Sequence, residues 1–346
     1  MTFIKNLIGK IWRLLPRGPR RWLFVTLSGL GMRPMPDPGV ARPPVAVAGV
    51  FQSASGLGES ARLNLAALQD AGIDCSAADL SHTLLGSREL AFAPAPRAIA
   101  GPGTLILHAS APFVPYALRC LGKPLIAGKR IIGVWHWELP RLPADWQAGC
   151  ALVHEVWAPS RFVADAVRHD FHGPVHIVPH AVSLPENINP EPWRANAGTG
   201  FLAVTQFNMA SGFERKNPLA ATAAFRRAFG ADADVCLIIK MLNADHWPEG
   251  ERQLRAAIGN AKNIRVETEV MSRSEVFSLL AAADVVISLH RAEGFGLLAA
   301  EAMLLGKPVI ATNWSSTAEF LNAENSCPVP CRMVPANDPQ GNYHYP

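Results

Sequence analysis

The stretch DVVISLHRAEGFGLLAAEAMLLGKPVIAT, residues 284–312, has the pattern that decides the fold class. A short apolar strand (284–290) runs into a glycine-containing loop, then an apolar helix (296–306) that stops at a glycine, then a second strand (308–312). Glycine just past a helix, with proline beyond it, is the usual stop signal. Strands that alternate with helices in this way predict a parallel sheet of the α/β class.

The same alternation runs through two long parts of the chain that are joined by a Pro- and Asn-rich stretch. The strands predicted upstream and downstream of this linker are 45–51, 104–109, 130–137, 155–160, 175–182, 201–207, 235–242, 263–270, 284–290 and 308–312. Between the later strands, helices are predicted at 218–230, 249–259 and 272–283. We therefore expect two Rossmann-like domains with parallel sheets. The predicted organisation is a leader and linker (1–44), an N-terminal domain (45–183), a linker (184–200) and a C-terminal domain (201–346).

The positive charge of the chain is concentrated at its start. Residues 1–33 carry seven basic side chains and no acidic one, whereas the remainder carries 25 basic and 28 acidic side chains. A mildly acidic body argues against a nucleic-acid binder.

Apolar residues in FIKNLIGKIWRLL (3–15) fall largely on one helical face, and the run WLFVTLSGLGM (22–32) is too short to span a bilayer. The two readings are an interfacial helix on an anionic membrane surface or a disordered or core-packed leader.

The cysteines and acidic pairs do not form a recognisable metal motif. The six cysteines lack a CxxC pair, and CPVPC (327–331) has no partner pair, which favours free thiols in a reducing cytoplasm. Asp232 and Asp234 spell the DxD of metal-dependent enzymes, but they lie at the amino end of a predicted strand, and we interpret them as a turn. The His169–His180 run matches no zinc pattern and is interpreted as surface and strand positions. No metal ligand and no cofactor is predicted.

Two glutamates bracket the start of the helix in the opening stretch. Glu293 lies in the loop after the strand, and Glu301 lies more than one turn inside the helix. Ligands of open α/β sheets bind at the carboxyl ends of strands, against helix N-termini. Carboxylates repel phosphate but accept hydrogen bonds from hydroxyls, so a sugar and a ribose are the candidate partners. The alternatives are helix-dipole matching for Glu293 and a solvated helix face for Glu301.

A basic pair lies at the same edge of the predicted C-terminal sheet. Arg215 and Lys216, in FERKNP (213–218), follow one strand by a loop and precede a helix. A planar guanidinium beside an ammonium suits a diphosphate, although solvated loop cations are common. Together with the two glutamates, the pair predicts a nucleotide-sugar site.

With these motifs, residues 45–320 resemble the retaining glycosyltransferases of family 4, which have the two-domain GT-B fold. The Glu-x7-Glu spacing, GKPVIAT (306–312), ERKNP and GLGESAR (56–62) carry the resemblance, and GVWHWELPRLP (133–143) is similar to a bacterial polysaccharide-assembly branch. The resemblance implies a metal-independent hexosyltransferase in cell-surface polysaccharide synthesis. Its partners would be a nucleoside-diphosphate sugar and a glycan or lipid-linked acceptor, with no nucleic acid. The predicted location is cytoplasmic and peripheral on the inner face of the cell membrane.

The resemblance also implies roles for individual residues. The catalytic candidates are Arg215, Lys216, Glu293 and His136, with Glu138 as the alternative to His136. The donor-binding candidates are Glu301, Gly294, Phe295, Gly296 and Leu297. The candidates for the acceptor and phosphate loop are Gly56, Gly58 and Glu59.

The chain departs from the family pattern at its C-terminal end. The family has further helices there, one of which packs on the N-terminal domain, and their absence bears on domain closure. This departure favours one alternative, a non-catalytic sugar-nucleotide-binding protein. Two further alternatives are a GT-B phosphorylase or epimerase, which would use the same basic site, and, more remotely, a nicotinamide dehydrogenase. The dehydrogenase rests on SGLGESA (55–61), a poor copy of GxGxxG.

Overall fold

The computed structural model describes residues 17–85, 89–92, 100–197, 200–335 and 338–343. Within these residues the chain forms two parallel sheets of six strands each, flanked by helices. The strands are β1 (Val45–Gly49), β2 (Cys75–Asp79), β3 (Gly103–Leu107), β4 (Lys129–Val134), β5 (Glu155–Ala158), β6 (Val175–Ile177), β7 (Phe201–Asn208), β8 (Val235–Leu242), β9 (Ile264–Glu267), β10 (Val285–Ser288), β11 (Val309–Thr312) and β12 (Cys327–Val329).

The helices alternate with these strands. They are α1 (Arg17–Gly29), α2 (Gly56–Asp70), α3 (Ser81–Leu85), α4 (Val114–Leu121), α5 (Lys123–Ile126), α6 (Gln147–Cys150), α7 (Arg161–Arg168), α8 (Glu191–Ala197), α9 (Phe213–Lys216), α10 (Pro218–Phe229), α11 (Pro248–Ile258), α12 (Arg273–Ala282) and α13 (Leu297–Leu304). Short 3-10 turns lie at 111–113, 144–146, 209–211, 244–246 and 315–319.

Both sheets are doubly wound. Their strand orders are β2-β1-β3-β4-β5-β6 and β12-β11-β10-β7-β8-β9, and every strand pair is parallel. Strands covered by helices on both faces bury alternate side chains in opposite layers. Leu105 and Ile106, for example, belong to the cores on the two faces of the first sheet. The predicted α/β class with two Rossmann-like sheets is confirmed.

The sequence did not predict two of the observed strands, β2 and β12, and both lie at sheet edges. β2 (CSAAD) is half-buried, and β12 (CPV) includes the first half of the cysteine-proline motif. Cys327 and Cys331 are exposed free thiols, as the sequence favoured. The linker predicted at 184–200 contains α8, whose Arg194 forms an ion pair of 2.5 Å with Asp284 just before β10.

Direct contacts join the two sheet domains. The Ser160 hydroxyl donates to the carbonyl of Gly294 (2.8 Å), and Glu319 accepts from the backbone amides of Arg161 and Phe162 at the start of α7. The segment 338–343 also reaches the N-terminal half, because the Tyr343 hydroxyl donates to Glu138 Oε2 (2.9 Å). A connection from the C-terminal segment to the N-terminal half is therefore present in the described chain.

Candidate functional site

The loops that follow β7 and β10 lie side by side because these two strands pair in the sheet. Asn208 ends β7, and the chain then enters α9, which contains Arg215 and Lys216. The backbone amide of Arg291, in the loop after β10, donates to the carbonyl of Arg215 (2.7 Å). The predicted basic pair and Glu293 are thereby brought together, although Arg215 and Lys216 lie in a short helix and not in a loop.

A charged cluster of five side chains occupies this junction: Arg215, Lys216, Glu293, Glu138 and Tyr343. The Arg215 guanidinium lies 3.2 Å from Glu293 Oε2 and 3.7 Å from Glu138 Oε1, and the Lys216 ammonium contacts Glu293 Oε1. Arg215 also donates to the carbonyls of Ser211 (3.0 Å) and Ala292 (2.9 Å). Its side chain is only 8% exposed, whereas that of Lys216 is 22% exposed. Lys216 is therefore the more accessible cation for a ligand.

Opposing influences determine the ionisation of Glu293. Burial disfavours its charged form, but the neighbouring charges of Lys216 and Arg215 outweigh burial and lower the pKa of Glu293 to about 2. Glu293 is therefore an ionised acceptor across the neutral range, held in place by two cations. Glu138, which sequence analysis gave only as an alternative to His136, belongs to the same cluster.

Glu301 lies in a different environment, on the buried side of α13. Its side chain is 7% exposed, so the solvated-face alternative is wrong. Burial, together with the negative charge of Glu59, raises the pKa of Glu301 to about 8, and Arg273 opposes this shift. Glu59 pairs with Arg62 on the same helix, α2 (2.9 Å), and contacts Arg273 across the interface. Sequence analysis did not identify Arg273, which also donates to the carbonyl of Ser183.

The two N-terminal glycines lie inside the first turn of α2 and not in a free loop. Ser55 caps this helix by accepting from the Gly58 amide. A Cβ on Gly58 would lie 2.3 Å from the Ser53 carbonyl, so packing alone requires glycine there. At Gly56 the nearest atom to an added Cβ is Leu297 Cδ1 at 3.8 Å, which places the start of α2 opposite the start of α13.

The turn that leads into α13 has one conformationally demanding position. Gly296 has φ of +100°, and a Cβ there would lie 2.4 Å from Thr317 Cγ2, so only glycine fits. Phe295 packs its ring against His180 and Phe320, with centroids 4.7 and 5.7 Å away. With Gly294 bonded to Ser160, the predicted donor-binding residues 294–297 line the junction of the two domains.

Three histidines meet at the carboxyl ends of the first sheet. His136 Nε2 lies 3.1 Å from His180 Nε2, and their rings stack at 5.0 Å. His180, which the sequence analysis grouped with surface and strand positions, is partly buried beyond the end of β6. Burial, and then repulsion by the protonated forms of His136 and His108, lowers the pKa of His180 well below the usual value. Burial likewise lowers the pKa of His136 to about 4 and that of His108 to about 3, so both are neutral at pH 7. All three histidines follow the end of a strand. This shared position is the signal in the sequence that could have grouped them.

The remaining candidates lie away from this junction. Asp232 and Asp234 form an exposed turn before β8, where the Asp234 amide donates to Asp232 Oδ1 (2.9 Å), in agreement with the prediction. Within the part of the chain that the structure describes, no three His, Cys, Asp or Glu side chains are grouped so that they could hold a metal ion. The half of the leader before residue 17 lies outside the described residues.

Comparison with known proteins adds a family and a fold. The profile of the Family 4 Glycosyltransferase in conflict systems matches residues 163–341, slightly more than half of the chain. The structure of Anabaena HepE in complex with UDP-glucose is similar with a TM-score of 0.56 and 15% identity over 80% of this chain and 82% of that one. The HepE complex with UDP gives 0.51 and 14% over 83% and 85%. These likenesses concern the fold, and they agree with a GT-B arrangement.

Other similar structures match only partly. The alpha,alpha-trehalose-phosphate synthase (UDP-forming) of Burkholderia vietnamiensis has a TM-score of 0.49 and 13% identity over 66% of this chain, and the match spans 60% of the length of that protein. Among proteins of curated function, none matches the chain in sequence.

Proposed function

The chain belongs to the family 4 glycosyltransferases, and on this premise we propose that it moves a sugar, with retention of configuration, from a nucleoside-diphosphate sugar to a glycan or lipid-linked acceptor. The observation that supports this most strongly is the charged cluster beside the start of α13. There an accessible ammonium, Lys216, and an ionised carboxylate, Glu293, lie at the carboxyl ends of adjacent parallel strands. This is the position in which open α/β sheets bind nucleotides.

In the proposed mechanism, Lys216 changes partner when the donor binds. The contact between Lys216 and Glu293 is partly exposed to solvent. A diphosphate bound at the start of α13 can therefore compete with Glu293 for the Lys216 ammonium. The helix amides and Lys216 would then stabilise the leaving diphosphate. Arg215, buried and bonded to Ala292 and Glu293, would keep the carboxylate directed at the sugar, whose ring gains positive charge in the transition state.

The acceptor proton needs a base, and the cluster offers no free carboxylate for that role. Glu293 and Glu138 are both paired with Arg215. This pairing supports a mechanism in which the leaving phosphate takes the proton on the same face of the sugar, as the family resemblance implies. Neutral His136, whose ring is partly exposed beyond the end of β4, would contact the sugar.

Transfer should need no divalent metal, because Lys216 and the amides of α13 already supply positive charge. The donor base is first selected by a thermal-shift panel of nucleoside diphosphates, since a ligand at about 100 times its Kd stabilises by about 2.7 kcal/mol. Release of the selected nucleoside diphosphate from its hexose conjugates is then followed on a panel of glycan and lipid-linked acceptors with excess chelator, and the anomeric configuration of the product is read by NMR. We expect undiminished turnover and a retained configuration.

Other outcomes of this experiment identify the alternatives. Turnover that is lost with chelator and restored by magnesium or manganese would contradict metal independence. Tight binding of the nucleotide without turnover on any acceptor would favour a non-catalytic binding protein. Phosphate-dependent release of a sugar phosphate would indicate a phosphorylase. A role in polysaccharide synthesis is part of our proposal and is addressed by the acceptor panel.

We also propose that the leader attaches the protein to an anionic membrane surface. One face of α1 packs on the N-terminal domain, where the Phe24 ring contacts Phe113 and Tyr116. The other face exposes Trp22 (64%) and Leu27 (58%), and Leu30 (71%) follows the helix. Aromatic and aliphatic side chains beside a run of cations are typical of interfacial helices. None of the helices that the structure describes has the length and apolar character that a membrane crossing needs.

Flotation with vesicles of phosphatidylcholine, with and without phosphatidylglycerol, tests this attachment. Each cation near an anionic surface contributes about 1 kcal/mol, so flotation should require phosphatidylglycerol and fall with added salt. The triple change Trp22→Ser, Leu27→Ser and Leu30→Ser should reduce partitioning by at least about tenfold. Leu304→Ser, at an exposed leucine of α13, is the matched control and should float like the unaltered protein. Equal flotation of the triple variant would contradict attachment through α1.

A further inference from the structure

The segment 338–343 forms a turn that presents Tyr343 to the charged cluster. The Asp338 carboxylate accepts from the backbone amides of Gln340 (3.1 Å) and Tyr343 (2.9 Å), and the Asp338 carbonyl accepts from the Gly341 amide (3.0 Å). An aspartate side chain that accepts from the amides following it holds a turn in one conformation. These bonds therefore fix the direction in which the Tyr343 side chain leaves the backbone.

Gln340 fastens this turn to the loop after β7. Its side chain is buried, its amide nitrogen donates to the Met209 carbonyl (3.0 Å), and its amide oxygen accepts from the backbone amide of Phe213 at the start of α9. Arg215 lies two residues further along the same helix. The turn and the basic pair are thus held together on the C-terminal domain.

Tyr343 extends from this turn to the N-terminal domain. Its hydroxyl donates to Glu138 Oε2 (2.9 Å), and its ring lies 5.5 Å from the ring of Trp137. The ring centroid also lies 6.0 Å from the guanidinium carbon of Arg215. Burial raises the pKa of the Tyr343 hydroxyl well above its usual value, against the charge of Arg215, so the hydroxyl stays protonated and donates.

This hydroxyl decides how strongly the Glu138 carboxylate competes for Arg215. Glu138 Oε2 accepts from Tyr343, while Oε1 lies 3.7 Å from the Arg215 guanidinium. Arg215 is closer to Glu293, at 3.2 Å. A carboxylate that lacks another donor favours a bidentate pair with a guanidinium. Because Tyr343 supplies an uncharged donor to Glu138, Arg215 remains nearer to Glu293.

The position of Arg215 bears in turn on Lys216. The Glu293 carboxylate is shared by both cations, because Arg215 approaches Oε2 and Lys216 contacts Oε1. The more Arg215 neutralises Glu293, the weaker is the attraction of Glu293 for the Lys216 ammonium. Lys216 is the cation for which a bound diphosphate would compete. Tyr343 can therefore act on the diphosphate site through two consecutive ion pairs.

We propose that Tyr343 is a positioning residue for nucleotide binding: by bonding Glu138 it keeps Arg215 with Glu293 and so leaves Lys216 available to the diphosphate. The proposal rests on the glycosyltransferase function proposed above. Tyr343→Phe removes only the hydroxyl. Glu138 would then draw Arg215 away from Glu293, Glu293 would hold Lys216 more firmly, and a nucleoside diphosphate would bind more weakly.

A double-mutant cycle with Glu293→Gln distinguishes this indirect action from a direct contact with the ligand. Calorimetry measures the affinity for whichever of ADP, CDP, GDP, UDP and dTDP the thermal-shift panel selects. We expect Tyr343→Phe to weaken binding by at least about threefold, a coupling typical of neighbours in one hydrogen-bond network. In the Glu293→Gln background the same change should have no effect, because a neutral amide does not retain Lys216.

Tyr116→Phe, which removes a hydroxyl from α4, is the matched control and should bind the nucleotide like the unaltered protein. Equal weakening by Tyr343→Phe in both backgrounds would mean that the hydroxyl contacts the ligand itself, and it would overturn the proposal. Undiminished binding by Tyr343→Phe would overturn it as well. No nucleoside diphosphate binding by the unaltered protein would instead overturn the function proposed above, so the two failures are distinguishable.

A second cycle needs no ligand. Tyr343→Phe should lower the urea midpoint of the unaltered protein, and it should lower the midpoint of Glu138→Ala by less, because the hydroxyl has lost its acceptor there. Equal shifts in the two backgrounds would show that Tyr343 does not act through Glu138, and they would overturn the proposal whether or not a nucleotide binds.

Discussion

Glu293→Gln is expected to lower turnover by about 100- to 1,000-fold while leaving the affinity for the nucleoside diphosphate unchanged or higher. Removing one preorganised electrostatic group from an active site typically costs this much. The substitution keeps the size of the side chain and removes only its charge, so the loss would fall on the step in which the sugar ring becomes positive.

The effect on nucleotide affinity follows from the partners of Lys216. In the structure its ammonium contacts Glu293, whose charge competes with a diphosphate for the same cation. A neutral glutamine competes less, so binding of the diphosphate should not weaken. Arg215 retains its contact with Glu138 in this variant, which limits the loss of stability that an unpaired buried charge would cause.

Lys216→Ala is the contrasting variant. A hydrogen bond to a charged group contributes roughly 1.5–3 kcal/mol, so this change should weaken nucleoside diphosphate binding by about 10- to 150-fold. Calorimetry with UDP and turnover with the preferred donor separate the two variants. If Glu293→Gln loses nucleotide affinity and Lys216→Ala keeps it, the roles that we assign to the two side chains are reversed.

Glu301→Gln should stabilise the protein at pH 8 and weaken nucleotide binding at the same time. The pKa of Glu301 is raised from 4.5 to about 8, by burial and by the charge of Glu59. Below pH 4.5 the carboxyl is protonated in both the folded and the unfolded chain. As the pH rises to 8 the unfolded chain loses this proton and the folded chain keeps it, so the free energy of unfolding decreases over that interval.

A glutamine does not titrate, so the variant should escape this decrease. A pKa shift of this size corresponds to about 4 to 5 kcal/mol in the free energy of unfolding at pH 8. Against this gain, a buried glutamine amide that lacks hydrogen-bond partners costs about 1–3 kcal/mol. The net gain at pH 8 should be about 1 to 4 kcal/mol, and near pH 4.5 it should turn into a loss of about 1–3 kcal/mol. The variant would also weaken nucleoside diphosphate binding by about 2- to 13-fold, because the amide offers a ribose hydroxyl one acceptor oxygen where the carboxyl offers two.

Urea unfolding at pH 4.5 and pH 8, with calorimetry of UDP binding, measures both effects. Glu324→Gln, at an exposed glutamate far from the cleft, is the control and should change neither quantity. A variant that is no more stable than the unaltered protein at pH 8 would show that Glu301 is ionised in the folded state. Unchanged UDP affinity would remove Glu301 from the nucleotide site.

Regular periodicity made most of the C-terminal sheet predictable. Helices predicted at 218–230, 249–259 and 272–283 are observed at Pro218–Phe229, Pro248–Ile258 and Arg273–Ala282. These segments have local stop signals, such as a glycine just past the last turn, and local signals are legible in one sequence. The edge strands β2 and β12 were missed because they pair on one side only and have weak strand composition. Their conformation is decided by the neighbouring strand.

The sequence by itself determined the α/β class, the two sheets and the placement of Glu293, Glu301, Arg215 and Lys216 at strand-to-helix junctions, because these follow from local periodicity and from the rule for parallel sheets. Only the tertiary structure decided how these groups are ionised and which are accessible. Arg215 is buried by Glu138 and Tyr343, which lie far from it in the chain, and His136 meets His180 in the same way. Burial and charge pairing depend on distances through space, and the spacing of residues along the chain does not contain them.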